Sequence, residues 1–393
     1  MTPIQDPVLD SIILKLPEMT DKLRSMREII LANLAMLGET PAPTFKEERR
    51  IRFLLDRFTE LGLSNASTDE VGNGIGILEG TSGERNILIV AHADTSVDEK
   101  TNHTYTIKPD EVIGPGVGDN SLGVAVLASL PYILEKFDIK LNSNLILISG
   151  TRSLGRGNLE GLRFFLSNAK MPIHYGLSIE GVKLGRISHQ SIGMLRGDIT
   201  CTIPEQYDWS RFGTSSAILT LNEVINKIND IRLPKRPKAS IVLGSIEGGG
   251  TYNNIATKAK LKFEIRSESA ELTREIGDRI EEIVSEQSSV HGESVVLDIF
   301  ARREPGGITF SHPYVRCTRQ LIEALGIEPR LAPSISELAA FIDHQIPAVT
   351  LGITAGDHFN DNEERVEIEP MFKGIAQIIA TIKAIDGGCC EQN

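Results

Sequence analysis

The sequence predicts an α/β fold in which a larger, discontinuous domain is interrupted by a smaller inserted one. In the first half, nearly continuous apolar runs ending in polar residues alternate with helical patterns, as in buried parallel strands. From residue 196 to about 300 the order changes to strand, helix, strand, strand, helix, strand. We therefore expect a central, mostly parallel sheet flanked by helices at residues 1–194 and 307–393. A ferredoxin-like βαββαβ domain is expected at residues 195–306.

The larger domain is predicted from apolar spacing along the chain. Helical spacing covers residues 19–37 and 45–61, which are separated by the Pro-Ala-Pro segment at 41–43. Buried strands are predicted at 86–91, 145–148 and 174–179, and a Gly-rich segment at 114–123 opens a helix near Ser121. After the insertion, helices at 314–325 and 370–385 flank a strand at 348–351. Polar side chains recur where these strands end, and ligands bind at such ends in open α/β sheets.

The inserted domain is predicted from a shorter alternation of patterns. Its strands are expected at residues 198–203, 239–244, 259–266 and 294–300, and its helices at 218–231 and 272–290. Residues 303–307, Arg-Glu-Pro-Gly-Gly, form the expected return linker.

Composition and charge favour an ordinary globular protein of the cytoplasm. The chain has 393 residues, a net charge of -12 and a pI near 5.3, which argue against nucleic acid or an anionic membrane as the main partner. No signal peptide is expected at the N-terminus, and no apolar run of membrane-spanning length is expected. The four cysteines form no CxxC pair, and Cys389 and Cys390 are expected in a frayed end. These features fit a reducing, cytoplasmic setting.

Four polar residues at predicted strand and loop ends form a candidate metal site. They are His92 and Asp94 in the segment AHAD, Asp119 in GPGVGDN and Glu180 in SIEG. One imidazole and two carboxylates can form half of a zinc site, and Asp94 could hold the second nitrogen of His92. On spacing alone, turn and cap roles for Asp119 and Glu180 are equally good interpretations.

Six motifs in register carry a resemblance to a known family. They are AHADTSVD, GPGVGDNSLGVA, SGTRSLGRGNLEG, SIEGVKLGRISHQSIG, GSIEGGGTYNNIA and LGITAGDHFNDNEERVEI. In order and spacing they resemble the motifs of the di-zinc aminoacylase, acetylornithine deacetylase and glutamate-carboxypeptidase family, from Pro41 to the last helix. The resemblance implies a catalytic domain that hydrolyses amide bonds in short peptides and N-acyl amino acids. It also implies an inserted lid that dimerises.

The resemblance implies ligands for one metal and an orienting residue beside them. His92, Asp119 and Glu180 would hold the first metal, Asp119 would bridge to a second, and Asp94 would orient His92. All four residues are present.

The other positions that the family uses depart from its pattern. Where it has two adjacent glutamates, general base and second-metal ligand, this chain has Ser153 and Leu154, or Arg152 and Ser153 if the match slides by one. A serine cannot take a proton from zinc-bound water as a carboxylate does, and a leucine cannot bind zinc. The family's last metal-binding histidine falls on Asn360, which we keep as a candidate substrate contact.

The loop around Asn360 leaves one alternative open for a second metal. His358 could substitute for the missing histidine if the loop is threaded differently, with Asp357 or Asp361 as a further ligand. An exposed loop histidine is the simpler interpretation.

The inserted domain contributes three further candidates through the resemblance. Tyr207 matches the family's lid histidine, and a tyrosine can still donate a hydrogen bond to an oxyanion; a packed loop aromatic is an equal alternative. Asn253 and Arg266 match positions associated with substrate contacts, although Arg266 could instead be a solvated residue at a strand edge.

The coincident losses at the active site lead to three functional hypotheses. The first is a repurposed enzyme with one Zn²⁺ or other divalent metal, or none, in which Ser153 or Tyr207 serves acyl transfer, cyclisation or elimination. The second is a non-catalytic binding protein. The third is an active zinc exopeptidase or N-acyl-amino-acid deacylase with a rebuilt second site. Each implies a small peptide-like or N-acyl amino acid ligand, and the family resemblance implies a homodimer.

Overall fold

The computed structural model describes residues 4–203, 216–290, 294–359 and 361–391 of the chain. The chain divides into two compact units, one formed by Met1–Ser191 and Gly307–Asn393 and the other by Ile192–Gly306.

The secondary structure of the two units follows the chain in three segments. The larger unit begins with α1 (Pro7–Arg24), α2 (Arg27–Gly38), α3 (Glu48–Glu60), β1 (Ser64–Thr68), β2 (Gly74–Leu78), β3 (Asn86–His92), β4 (Thr106–Ile107), β5 (Glu111–Ile113), α4 (Leu122–Lys136), β6 (Asn144–Gly150), α5 (Glu160–Asn168), β7 (Tyr175–Val182), β8 (Arg186–Ser188) and β9 (Gln190–Ser191). The smaller unit contains β10 (Gly193–Thr202), α6 (Ala217–Asn229), β11 (Ala239–Gly248), β12 (Lys258–Ser267), α7 (Ala270–Val290) and β13 (Ser294–Arg303). The last segment contains β14 (Gly306–Gly307), α8 (Pro313–Ala324), β15 (Arg330–Leu331), α9 (Leu338–Asp343), β16 (Ala348–Thr354), β17 (Gly356–Asp357), β18 (Arg365–Glu367) and α10 (Glu369–Asp386).

The N-terminal helical region differs from the sequence prediction. Two helices replace the single helix expected at residues 19–37, and the first begins well before that range. Asp6 caps α1 by accepting a hydrogen bond from Val8 N at 2.8 Å, with Pro7 in the first turn. Ser25 and Met26 form the connection between α1 and α2, where the helical conformation is interrupted.

An eight-stranded mixed sheet forms the centre of the larger unit, as the α/β prediction requires. Its order is β1-β2-β6-β3-β7-β16-β8-β15, and the four strands β6, β3, β7 and β16 are parallel to their neighbours within that group. In the ladder His92 lies opposite Gly150, and Glu180 lies opposite Gly352. The carboxyl ends of these parallel strands therefore meet at one edge of the sheet, where α/β folds bind ligands.

One apolar segment is longer than the sequence analysis expected. Val117–Lys136 has a mean hydropathy of 1.3 over a window long enough to cross a membrane, so the expectation that no run reaches that length is wrong. Within the protein 89% of this window is buried, because α4 packs against α2 and β3 in the core. Such burial is typical of a core helix that is hydrophobic all round.

The smaller unit confirms the predicted ferredoxin-like pattern. Its four strands form one antiparallel sheet in the order β11-β12-β10-β13. Helices α6 and α7 pack on this sheet and bury a separate apolar core around Phe263 and Ile280. Strand β11 lies at one edge of this sheet, so its outer backbone groups have no ladder partner among the described strands of this unit.

The C-terminal tail is packed rather than frayed, which corrects the prediction for Cys389 and Cys390. Both side chains are buried in the core of the larger unit. The thiol of Cys317 donates to the carbonyl oxygen of Cys389 at 2.9 Å, and Tyr175 donates to that of Cys390 at 3.3 Å. These contacts attach the tail to α8 and β7.

Candidate metal centre

The three residues predicted as ligands of one metal converge in the structure. His92 ends β3, Glu180 lies near the end of β7, and Asp119 lies in the turn Val117–Ser121 that precedes α4. Their ligand atoms all lie within 4.8 Å of one another. The Nε2 atom of His92 lies 3.1 Å from Oδ1 of Asp119. Among the described residues, this is the group of three whose side chains can hold a metal ion.

The turn that carries Asp119 is held against β7 by its neighbour Asn120. The side chain of Asn120 is fully buried; it donates to Ile179 O and accepts from Gly181 N, each at 2.8 Å. Close approach requires glycine here, because a Cβ on Gly181 would lie 2.3 Å from the carbonyl oxygen of Gly118. The turn and the strand end are therefore fixed relative to each other, and the two carboxylates with them.

Asp94 lies at the other nitrogen of His92. The Nδ1 atom of His92 is 2.9 Å from the main-chain oxygen of Asp94 and 3.4 Å from its Oδ1. The Oδ2 atom of Asp94 accepts hydrogen bonds from Thr44 Oγ1 and Leu154 N, both at 2.8 Å. Asp94 therefore holds Nδ1 of His92, which leaves Nε2 free to face a metal ion. Metal-binding histidines are usually oriented by such a partner that does not itself bind the metal.

A buried arginine that the sequence analysis missed supports the same segment. The guanidinium of Arg50 is fully buried and donates to Ala93 O at 3.0 Å, between His92 and Asp94. It also donates to the carbonyl oxygens of Thr40 and Gly38 at 2.8 and 3.2 Å. No local pattern distinguished Arg50 from the other charged residues of α3.

The segment at Ser153 and Leu154 contains no carboxylate directed at the site. The side chain of Arg152 pairs with Glu160 Oε1 at 2.7 Å, and its main-chain N–H donates to Glu47 Oε1 at 2.8 Å. Ser153 is 2% exposed, and its hydroxyl has no hydrogen-bond partner among the described residues. Leu154 contributes its main-chain N–H to Asp94. This segment therefore serves the site through its backbone.

Three further buried carboxylates surround the site and were not predicted from the sequence: Glu47, Glu337 and Glu364. Burial raises the pKa of Glu47. Burial and the nearby Asp119 raise the pKa of Glu364 to about 8, partly opposed by main-chain N–H groups around Gly118. Glu47 lies at the start of α3, and Glu337 and Glu364 lie in loops, so their sequence positions do not distinguish them from solvated side chains.

The electrostatics of the three central residues fit a divalent cation. Burial, together with repulsion from Glu337, raises the pKa of Glu180 to about 7. Burial opposes protonation of His92, but Glu337 and Asp119 nevertheless raise its pKa well above the ordinary value. Burial alone would raise the pKa of Asp119, but the hydrogen bond and positive charge of His92, together with Lys183, outweigh it and lower this pKa. One imidazole shared among several partly or fully buried carboxylates leaves an excess of negative charge, which a metal ion would neutralise.

The loop that offered an alternative second metal site contributes no residue to this group among the described residues. Asp357, His358 and Asp361 are exposed, and the main-chain N–H of Asp361 donates to His358 O at 3.1 Å. Asn360 lies outside the described residues. Besides His92, the positive charge of Lys183 also lowers the pKa of Asp119. The ammonium of Lys183 lies 5.8 Å from the ring centre of Phe359.

The candidates in the smaller unit differ in what surrounds them. Tyr207 lies outside the described residues. Asn253 is exposed and accepts from Thr251 Oγ1 at 3.2 Å. Arg266 is paired with Glu264, which also accepts from Arg196 Nε at 2.7 Å. The charge of Arg266 is thus partly neutralised within its own sheet.

The fold and the converging ligands define a metallopeptidase-like α/β scaffold with one candidate metal centre. Residues 212–291 match the M20 family's peptidase dimerisation domain. No curated protein matches the chain in sequence.

Solved structures of peptidases share this fold over nearly their whole length. The dipeptidase Dug1p from Saccharomyces cerevisiae has a TM-score of 0.77 at 12% identity, covering 95% of this chain and 98% of its own. Aminopeptidase PepT from Bacillus cereus has a TM-score of 0.68 at 18% identity, and the match covers 91% of this chain and 98% of PepT. The YXEP protein of Bacillus subtilis, a dinuclear metal-binding M20 peptidase, has a TM-score of 0.62 at 13% identity, and the match covers 92% of this chain and 98% of YXEP. The chain therefore has the M20 peptidase fold.

Proposed function

We propose that this protein binds one divalent metal ion and a small amide or amino-acid-derived ligand, without the two-metal hydrolysis of its structural relatives. The observation that carries the proposal is the convergence of His92, Asp119 and Glu180 beside a segment, at Ser153 and Leu154, that lacks any carboxylate. A metal bound there would act as a Lewis acid that polarises a carbonyl group.

The protein groups around the site support binding more directly than water activation. Asp94 orients His92, and Asn120 fixes the backbone on both sides of Glu180. The hydroxyl of Ser153 has no hydrogen-bond partner among the described residues, so no adjacent base activates it, and a serine is a weak proton acceptor at neutral pH. Loss of a general base alone costs roughly two to four orders of magnitude in rate.

The proposed ligand class follows from the structural relatives. The structural relatives include an aminopeptidase, a tripeptidase and dipeptidases. A pocket that holds an amide without activating water suits acyl transfer, cyclisation or elimination, because removing that water protects an acyl intermediate. A binding protein without turnover is the simpler form of the same proposal.

An active zinc exopeptidase or deacylase is the second candidate function. The likeness to a dinuclear peptidase favours it, and His358 with Asp357 or Asp361 would supply the missing ligands. It requires that the exposed turn containing these residues fold onto Asp119. It predicts two zinc ions per chain where our proposal predicts one.

Metal content per chain separates the two candidates. Purified protein would be loaded with zinc, dialysed free of excess metal without chelator, and analysed for zinc. We expect one zinc in the wild type, none in His92→Ala, and one in the control His344→Ala, which removes an exposed histidine. Two zinc ions together with rapid hydrolysis of dipeptides or N-acyl amino acids would overturn the proposal.

Ligand binding is tested on the same preparations. Calorimetric titration with di- and tripeptides and N-acyl amino acids should show saturable binding to the wild type and weaker binding to His92→Ala. Mass spectrometry of the recovered ligand should show no addition of water. The absence of binding to any member of these classes would contradict the proposed ligand.

The smaller unit supports a homodimer. The edge strand β11 exposes Val242, Leu243 and Ile246, the last at 56% exposure, and this strand belongs to the segment that matches a dimerisation domain. An exposed apolar edge strand is a template for pairing with a second copy. Light scattering should show a dimer for the wild type and for Ser294→Lys on β13, and a shift to monomer for Ile246→Lys. The cytoplasmic location stays a prediction.

A further inference from the structure

We propose that a groove formed by α1, α10 and the turn after α4 binds a small, soluble phosphomonoester with an apolar body. The ammonium groups of Lys15 and Lys383 hold its phosphate, and apolar side chains of the groove contact the rest of the molecule. The groove encloses about 320 Å³, at the small end of the range for ligand pockets. Four lysines line it, together with two acidic and three apolar residues.

The groove lies at the opposite end of α4 from the candidate metal centre. The turn that carries Asp119 leads into α4, and this helix ends just before Phe137, which lines the groove. At about 1.5 Å per residue, α4 separates the two places by roughly 20 Å. The chain then enters β6, whose carboxyl end at Gly150 lies opposite His92. The groove is therefore at the amino-terminal edge of the parallel strands, and a ligand bound there does not depend on the metal.

The charged residues of the groove leave two lysines unpaired. The other two lysines face the two acidic residues, Lys22 with Glu18 at 2.7 Å and Lys140 with Asp138 at 3.7 Å. Among the described residues, Lys15 and Lys383 form no ion pair. The lining thus has an excess of two positive charges, in a chain whose net charge is -12. A local excess of this kind attracts an anion to the groove.

The acidic residue nearest to Lys383 along α10 is engaged elsewhere. The Oδ1 atom of Asp386 accepts from Ser143 N at 2.7 Å, and its Oδ2 atom accepts from Asn142 N at 3.2 Å. Burial and the neighbouring Lys15 lower the pKa of Lys383 despite the attraction of Asp386. The two ammonium groups therefore repel each other in the free protein, and an anion bound between them removes that repulsion.

Three apolar side chains complete the lining. Met19 is buried in the core of the larger unit, and Phe137 and Ile139 are half-buried against that core. The main-chain N–H groups of Phe137 and Ile139 donate to Ile133 O at 3.0 Å and Leu134 O at 2.9 Å. The turn is thus fixed before a ligand arrives. An organic body that covers these side chains buries apolar surface, which inorganic phosphate cannot do.

A phosphomonoester fits two adjacent ammonium groups better than a carboxylate does. It carries a charge of about -1.5 to -2 near pH 7 and three acceptor oxygens on one head, so a single head can contact both lysines. A carboxylate brings one negative charge and leaves half of the excess in place. The net charge of -12 opposes approach to an anionic membrane, which favours a soluble ligand over a lipid headgroup.

The test is calorimetric titration of metal-free, full-length protein with phenyl phosphate, which joins a phosphomonoester head to an aromatic ring. Removing metal excludes binding of the phosphate to a metal ion. At low salt we expect a Kd of roughly 1 mM or below, as suits a ligand of this size. Lys15→Gln and Lys383→Gln should each weaken binding roughly tenfold or more, since each removes a hydrogen bond between charged groups. The control Lys170→Gln, which removes an exposed lysine of the same unit, should bind as the wild type does.

Two further probes separate the head from the body of the ligand. Benzoate keeps the ring but carries one charge, and inorganic phosphate keeps the head without the ring. Each should bind roughly tenfold or more weakly than phenyl phosphate. Equal affinity for benzoate would overturn the phosphomonoester head, and equal affinity for inorganic phosphate would overturn the apolar body.

The site itself is contradicted if the wild type does not bind phenyl phosphate, or if both lysine variants bind it as tightly as Lys170→Gln does. Sedimentation of the protein with vesicles containing phosphatidic acid, but not with vesicles of phosphatidylcholine alone, would overturn the soluble ligand and assign the lysines to a lipid surface. If Lys383→Gln fails to fold, Lys15→Gln decides the outcome, because the side chain of Lys15 is exposed.

Discussion

The side-chain amide of Asn120 holds the backbone on both sides of Glu180, donating to Ile179 O and accepting from Gly181 N at 2.8 Å each. Because Asn120 follows Asp119 in the chain, one buried amide sets the separation between the two carboxylates. This arrangement makes the stability of the strand end and the affinity for metal depend on the same residue.

Asn120→Ala should therefore weaken both properties. It leaves a buried carbonyl and a buried N–H without partners, which should lower the free energy of unfolding by about 2–3 kcal/mol. Urea unfolding of metal-free protein measures this loss, and zinc competition should show reduced affinity. Asn168→Ala, which removes an exposed amide bonded to Phe164 O, is the control. Full zinc affinity in Asn120→Ala would mean that the metal itself can position the ligands.

Asp94→Asn tests the orienting role at His92. The substitution keeps the size of the side chain but removes the charge 3.4 Å from His92 Nδ1. We expect zinc affinity to fall by roughly 10–100-fold, as is typical when the outer-sphere carboxylate of a metal-binding histidine is lost. Asp98→Asn, a nearby exposed carboxylate, should have no effect. Equal affinities in the two variants would assign the orientation of His92 to the main-chain oxygen of Asp94 alone.

The sequence predicts the fold and part of the site for identifiable physical reasons. His92 follows a continuous buried strand and Glu180 lies near the end of another, so their convergence follows from the rule that parallel strands share a carboxyl edge. Glu337 and Glu364 could not be found this way. Both lie in loops and are brought to the site by tertiary packing that leaves no periodic pattern.

The C-terminal segment of the chain also shows that local sequence patterns do not predict tertiary packing. Composition near Cys390 predicted a loose tail, because two glycines precede the cysteines. In the structure the side chain of Cys390 is buried in the same core as Cys317 of α8, a packing that depends on residues far away in sequence. Local patterns predict elements well but not which surface a terminal segment covers.

Ser153→Ala separates a structural from a chemical role for that residue. Because the hydroxyl is buried without a partner among the described residues, its removal should leave the free energy of unfolding unchanged or raise it by up to about 1 kcal/mol. Zinc content should also stay the same. If Ser153 takes part in a non-hydrolytic reaction, the variant should lose turnover of the peptide or N-acyl ligand while retaining its binding. A large loss of stability would instead reveal an unseen partner for the hydroxyl.

Glu264→Gln provides a test of pH dependence in the smaller unit, away from the metal site. Burial alone would raise the pKa of Glu264, but Arg196 and Arg266 outweigh burial and hold the pKa below its ordinary value of 4.5. A lowered pKa stabilises the folded protein above pH 4.5, and this contribution disappears as the pH falls through the lowered value. At pH 7 the variant should be less stable by about 1–3 kcal/mol.

The difference between wild type and Glu264→Gln should stay constant from about pH 8 to 5 and shrink below the ordinary pKa. Urea unfolding at closely spaced pH values measures it. Glu247→Gln, which removes an exposed carboxylate paired with Lys262 at 3.0 Å, should change stability little at any pH. A difference that stays constant down to pH 3 would show that the carboxylate stabilises the sheet through packing or neutral hydrogen bonds. In that case Arg266 would keep more of its charge for a ligand than its pairing with Glu264 implies.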